Sequence, residues 1–282
     1  MLHKIIKGIA PVFAIAAAFG TAACDGNISI NGEKGVPLAE LETEGKSPTG
    51  IALAGPDSVV VKDGGTLRID VAGDPEAVAA LRFTLDDKTL GIMRKKGAYD
   101  GDEKATVTVT LPGLEKLVVA GSGTVDANSL AGESEVTIAG SGTAKVARVD
   151  SSKHEVTIAG SGSYRAAGKV DNLELTVAGS GSADMAELYA ETAEVTIAGA
   201  GDASFASNGT VKATVMGSGT VAVKGDAKCT IKSMGSGTLK CDRGEAQATA
   251  GNAGSGDSPP TPPTPPSAPE APAAPEAPSK PE

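Results

Sequence analysis

Glu135–Val146 reads EVTIAGSGTAKV, Glu155–Ala166 reads EVTIAGSGSYRA and Glu194–Phe205 reads EVTIAGAGDASF. Before the glycine triplet, Val136 and Ile138 bracket the polar Thr137. After it, Ala144 and Val146 bracket Lys145. An apolar residue at every second position is the pattern of a strand that buries one face. Each unit therefore holds two short strands, and the triplet joins the second strand of one unit to the first strand of the next. Glycine suits that corner because a side chain would block it.

Working outward, the Gly-x-Gly triplet begins at Gly121, Gly140, Gly160, Gly179, Gly199, Gly217, Gly235 and Gly254, in steps of 18 to 20 residues. A single unit cannot bury its apolar face, whereas stacking units coil on coil makes a continuous core. The expected fold is all-β, a parallel β-solenoid of about 19 residues per coil. Seven steps at the strand spacing of ~4.8 Å give a rod section about 34 Å long. A series of hairpins is the competing layout, but hairpins would not need the same corner in every unit. The repeat fades at its end, where Ser233 and Asn252 replace the earlier Ile or Val, as in a capping coil.

Residues 47–118 are expected to be a less regular β region of the same body. Val59–Val61, Leu67–Val71 and Thr106–Thr110 alternate like strands. Asp74-Pro75-Glu76 opens a short helix, with Asp74 as N-cap and Pro75 as first residue. Arg82–Leu85 and Thr89–Met93 flank a turn at Asp86-Asp87-Lys88.

The termini read differently. Lys4 and Lys7 precede an apolar run from Ile9 to Phe19, too short for a membrane span of ~20 residues. Thr21-Ala22-Ala23 supplies small residues for cleavage, so residues 1–23 are expected to be a signal peptide. Cleavage there places Cys24 at the new N-terminus. That resembles the lipobox of bacterial lipoproteins, with Thr21 where a larger aliphatic is usual. Cys24 is thus the candidate lipid-attachment residue, and ordinary cleavage into a soluble exported protein is the alternative. Lipidation would leave Cys229 and Cys241 as an even pair, a candidate disulfide in an oxidising envelope. Residues 24–46 are polar and aperiodic, which suits a flexible tether. Residues 258–282 hold 11 of the 17 prolines and are expected to form a disordered, extended tail.

Composition excludes some functions. With 35 Asp+Glu against 25 Lys+Arg, the chain lacks the basic surface that nucleic-acid binding needs. Aromatic residues are 2% and Trp is absent, which argues against an aromatic sugar platform. His3 falls in the leader, leaving His154 alone in the mature chain. One histidine builds neither a zinc site nor a triad, and His154 shares its repeat position with Leu173, Ala193 and Val211, which suits a partly buried structural role. The glycine triplets lead from strand to strand, not from strand to helix, so they are not phosphate cradles.

The run LPGLEKLVVAGSGTV (Leu111–Val125), followed by the EVTIAGSGT-type units, resembles the auto-transporter adhesin head GIN domain family, across roughly residues 49–250. The segment DPEAVAALRFTLDDKTLGI (Asp74–Ile92) resembles the family's N-terminal part. The resemblance implies an exported bacterial envelope protein with a β-solenoid, and it carries no catalytic residues over. On this reading residues 47–257 are the GIN-like solenoid domain.

The surface offers ladders, not a catalytic group. Glu135, Glu155, Glu174 and Glu194 recur once per unit, whereas a catalytic carboxylate pair should break the repeat. Asp126, Lys145, Arg165 and Asp184 form a column of mixed sign. Thr137 to Thr214 form a hydroxyl ladder, either a binding face or the ordinary finish of a sheet. No catalytic residue, metal ligand or cofactor is expected. The expected role is a non-enzymatic structural or adhesin-like envelope protein. Its partner would be an envelope protein or a glycan, and its membrane link would run through Cys24. One alternative is a periplasmic ligand-binding or envelope-stress accessory protein, with a pocket where residues 47–118 meet the coils. A carbohydrate-active enzyme is the more remote one.

Overall fold

The computed structural model describes residues 35–95, 97, 102–242 and 247–248. The expected leader, Cys24 and the proline-rich tail lie outside them.

The first half of the fold comprises β1 (Gly50–Ala54), β2 (Ser58–Asp63), β3 (Arg68–Gly73), helix α1 (Pro75–Ala80), β4 (Leu81–Leu85), β5 (Thr89–Arg94), β6 (Ala105–Leu111) and β7 (Lys116–Gly121). Four long strands follow, one per coil: β8 (Thr124–Gly140), β9 (Thr143–Gly160), β10 (Ser163–Gly179) and β11 (Ser182–Gly199). The remaining coils break into β12 (Asp202–Ala206), β13 (Thr210–Gly217), β14 (Thr220–Lys224), β15 (Lys228–Gly235), β16 (Thr238–Cys241) and β17 (Gln247–Ala248).

From β7 onward every pairing is parallel, and each coil lies in register on the one before. Val136 pairs with Val156, Val156 with Leu175, and Leu175 with Val195. This is the parallel β-solenoid that the repeat implies. Val125, Ala144, Tyr164, Ala183, Ala203 and Val221 line the interior on one side, and Ile138, Ile158, Val177, Ile197 and Val215 on another.

The ladder does not stop after two short strands, however. Whereas the later coils keep two short strands, in β8–β11 it continues through the middle of the coil, where Leu130, Val149, Val170, Leu188 and Ala190 also point inward. Steps of 19 and 20 residues are absorbed there by register shifts, one between Gly132 and Glu133 and another between Ala166 and Gly168.

The corners explain the glycines. Gly160 has φ +120°, and a Cβ built on it would lie 2.5 Å from the carbonyl oxygen of Gly140. At Gly181 a Cβ would lie 2.5 Å from Cγ2 of Ile158 and 2.9 Å from the carbonyl oxygen of Gly162. Both positions therefore exclude any side chain. The corners also bond coil to coil, as Ser161 N–H donates to Gly140 O at 2.9 Å and Ser180 N–H to Gly160 O at 3.0 Å.

The irregular region belongs to the same stack, but its coils are out of chain order. β1 pairs in parallel with both β5 and β7, and β2 with both β6 and β8. The coil built from β1 and β2 therefore sits between one made later, by β5 and β6, and the regular series. The helix forms where Asp74 Oδ1 accepts from Glu76 N–H and Ala77 N–H at 2.9 and 3.1 Å, with Pro75 at its first position. Asp86 Oδ1 accepts from the N–H of Lys88 and Thr89, fixing the turn between antiparallel β4 and β5.

Of the tether expected over residues 24–46, the described residues from Val36 to Leu41 lie against the body of the fold. Val36 exchanges two 2.8 Å backbone hydrogen bonds with Phe83, Leu38–Glu40 form a 3-10 turn, and Leu38 and Leu41 pack on the core. Isolated apolar residues in a polar stretch show no periodicity, so this strap is invisible to pattern reading. Its apolar side chains are held because the core needs cover at that end.

Candidate functional site

The carboxylate ladder forms as the repeat dictates. Glu135, Glu155, Glu174 and Glu194 occupy one outward column, with Lys116 before it and Lys212 after it. Basic residues are interleaved with it. Lys116 Nζ lies 2.9 Å from Glu135, and Lys153 Nζ lies 3.4 Å from Glu155 and 3.1 Å from Glu174. The hydrogen bond to Glu174 raises the Lys153 pKa above its usual value. The ladder is thus a partly neutralised ion-pair network. In the column of mixed sign beyond the glycine corner, Arg165 Nε lies 3.7 Å from Asp184.

The threonine ladder Thr137–Thr157–Thr176–Thr196–Thr214 is in register, but its accessibility changes along the rod. Thr137 and Thr157 are buried, and Thr176, Thr196 and Thr214 are partly exposed. On the same outer side of the sheet, Ala52, Ala54, Met93 and Val118 form a second, smaller apolar cluster with Ala120 packed against it. A face that looks uniform in sequence is therefore open to partners only in its later coils.

Two shallow depressions lie on the regular coils. One, of about 330 Å³, is lined by residues that include Asn172, Glu174, Thr192, Glu194 and Lys212. The other, of about 440 Å³, is lined by residues that include Lys145, Arg165, Asp184 and Glu187. Neither is at the junction where the ligand-binding alternative places its pocket. Among the described residues, no group of three or more His, Cys, Asp or Glu side chains could hold a metal ion.

His154 is fully buried and polar-bonded on both ring nitrogens. Ser134 Oγ lies 2.7 Å from Nδ1, Tyr164 Oη lies 3.0 Å from Nε2, and Ser134 Oγ lies 2.8 Å from Ser151 Oγ. Either proton arrangement that runs the chain in a single direction fits: Tyr164 O–H to Nε2, Nδ1–H to Ser134 and Ser134 O–H to Ser151, or the reverse, with Nε2–H donating to Tyr164. Each arrangement needs a neutral imidazole. Burial pushes the His154 pKa down to about 4, against a smaller opposing contribution from the Ser134 backbone. Burial also pushes the Tyr164 phenol up. Sequence reading found the histidine but missed its partners. The available signal was Ser134, a polar residue in a column that elsewhere holds Leu173, Ala193 and Val211.

Asp57 and Arg94 escaped sequence reading altogether. Asp57 is 1% exposed. Its Oδ1 accepts from Arg94 Nη2 at 2.6 Å and from Ala105 N–H at 2.8 Å, and its Oδ2 accepts from Arg94 Nε at 2.8 Å. Arg94 also donates to Glu103 O at 2.8 Å. The pair thereby fastens the ends of β5 and β6 to the β1–β2 turn. At the other end of the rod, Cys229 and Cys241 are joined by a disulfide, with Cα atoms 6.8 Å apart.

Solved structures share this architecture. A "putative adhesin" from Bacteroides fragilis NCTC 9343 is 23% identical with a TM-score of 0.63, covering 70% of this chain and 93% of that one. A "putative lipid binding protein" from Parabacteroides distasonis ATCC 8503 is 22% identical with a TM-score of 0.54, again covering 70% and 93%. A "putative adhesin" from Parabacteroides merdae ATCC 43184 is 19% identical with a TM-score of 0.54, covering 71% and 98%. At these identities the likeness is one of fold. No curated protein matches the chain. A family model matches residues 47–227, from the strap-covered first coil through the regular repeats, and the chain belongs to that family, described as "Putative auto-transporter adhesin, head GIN domain".

Proposed function

We propose that this chain is a non-enzymatic, adhesin-like protein of a bacterial envelope, exported by its N-terminal segment and anchored through a lipid on Cys24. The observation that carries the reading is the in-register recurrence of one chemical group per coil on the outer columns. Such a surface presents the same weak contact several times at the strand spacing, and linked weak contacts add up to avidity. The family description and the adhesin neighbours support the same reading. The partner would be an envelope glycan or protein that itself repeats.

Excising residues 179–198 tests this. The deletion splices Ala178 to Gly199, which occupies the equivalent corner, and it leaves the His154 network intact. Binding would be measured by biosensor against immobilised peptidoglycan and envelope polysaccharide fractions. A graded loss of affinity with a retained fold is expected, and complete loss or no binding by the parent overturns the multivalent reading. Intact mass from the native envelope tests the anchor separately. An acylated chain beginning at Cys24 is expected, and an unmodified chain removes the anchor.

A further inference from the structure

The charge of the rod reverses along its length. Thr124–Ala206 carries 12 acids and 5 bases, whereas Ser207–Asp242 carries Lys212, Lys224, Lys228, Lys232 and Lys240 against Asp226 and Asp242. All five lysines are exposed. Met216 and Met234, 37% and 72% exposed, are the exposed large hydrophobic residues of the described chain, and they occupy successive coils of one column. In earlier coils that column holds Ala178 and Ala198. One sheet face therefore presents Lys and Met in its last coils, and Glu and Ala immediately before them.

We propose that this face pairs with a second copy of the chain, antiparallel, about a two-fold axis that runs along the strands between Glu194 and Lys212. Such an axis keeps each column facing its own equivalent and reverses the order of coils. Lys212 then meets Glu194 of the second copy, and Met216 and Met234 lie over its Ala198 and Ala178. Lys232 lies over its Thr176, beside its Glu174. Every contact occurs twice, as an isologous interface requires. The two faces match in charge, and large side chains sit over small ones.

The same plane argues against an anionic membrane as occupant, because Glu174 and Glu194 would be pressed against it. Four coils by three columns cover only about 400 Å² per copy, below the ~600–1,000 Å² per partner of stable interfaces. The dimer is therefore weak and concentration-dependent. It leaves the Asp126–Lys145–Arg165–Asp184 column free in both copies, and it does not depend on the adhesive role proposed above.

Sedimentation velocity of the full chain from about 10 μM to about 1 mM tests the pairing. The parent is expected to move from monomer to dimer, and Lys212→Glu to weaken association at least tenfold. Glu194→Lys alone should also weaken it, and the double exchange Lys212→Glu/Glu194→Lys should restore it, since both reciprocal pairs are rebuilt. Circular dichroism of each variant keeps misfolding apart from lost contact. A parent that stays monomeric throughout, or a double exchange that does not recover, overturns the proposal. So does association unchanged by Met234→Ala together with Lys212→Glu, or a monomer that instead binds vesicles containing phosphatidylglycerol.

Discussion

The two ends of the rod are held by different means. A stack of parallel coils always leaves an open ladder at each end, and an open ladder is a template for unwanted pairing. At the N-terminal end the chain reverses direction. β3 runs antiparallel to β6 and β4 antiparallel to β5, α1 joins them, and the strap at residues 35–41 covers the core. At the C-terminal end the described strands stay parallel and the interior thins, with Ser233 following Val215 in its column. Among the described residues, the last coil is tied covalently between its own strands, through Cys229 and Cys241. One end gains extra folded chain, and the other a cross-link within its last coil that compensates for a thinning core.

Breaking the N-terminal closure should cost most. Asp57→Ala leaves the guanidinium of Arg94 and the Ala105 N–H without their carboxylate in a buried place. Removing one partner of such a pair costs about 3–5 kcal/mol, read from the urea midpoint. Removing both residues together should cost less than the sum of the single losses, and strict additivity would show that the pair is not coupled.

Acid probes the middle of the rod rather than either end. The folded-state pKa of His154 lies below its unfolded value of ~6.5, at about 4. The unfolded chain therefore takes up this proton first as pH falls. Stability should decline from about pH 6.5 to about pH 4, and this group should contribute no further loss below that. The whole effect approaches about 3 kcal/mol. In urea titrations across that window, His154→Leu should flatten the slope, and an unchanged slope would assign the pH dependence to other groups.

Breaking the C-terminal cross-link should cost somewhat less. A disulfide spanning 12 residues stabilises by roughly 2–3 kcal/mol. In Cys229→Ala/Cys241→Ala, hydrogen exchange should quicken in β14–β16 and leave β5–β7 unchanged. Equal loss at both ends would mean that the rod melts as one unit and that the two ends are not independent. The smallest effect belongs to the ladder between them. Lys153→Ala removes partly exposed ion pairs to Glu155 and Glu174 and should cost less than about 1 kcal/mol, with the difference shrinking further at high salt.

What the sequence reveals follows from how each part is held. The regular coils were legible because strand period, glycine corner and repeat length are all local and recur. The cap of α1 and the β4–β5 turn were legible for the same reason, since Asp74 and Asp86 bond to backbone within three residues. The order of the first coils was not, because the parallel pairing of Gly50 with both Thr89 and Lys116 leaves no periodic trace. Asp57 and Arg94 are 37 positions apart, and neither belongs to a pattern. His154 was visible as an irregularity, but its meaning depended on Ser134 and Tyr164, which the coil geometry brings together. The outward ladders could be counted in advance. Which of their rungs are reachable could not, because burial of Thr137 and Thr157 is a property of the assembled surface.

The displaced first coil has a consequence for the moment the chain is made. β1 and β2 emerge before either neighbour exists, and their pairings to β5, β6, β7 and β8 are complete only when the polypeptide has extended past Ala127. Each later coil needs only the one just finished. Assembly should therefore have a slow, long-range beginning followed by rapid zippering toward the C-terminus. A chain handed through a narrow opening from its N-terminus would not complete its first coils until more than a hundred residues had passed, and would then close behind itself.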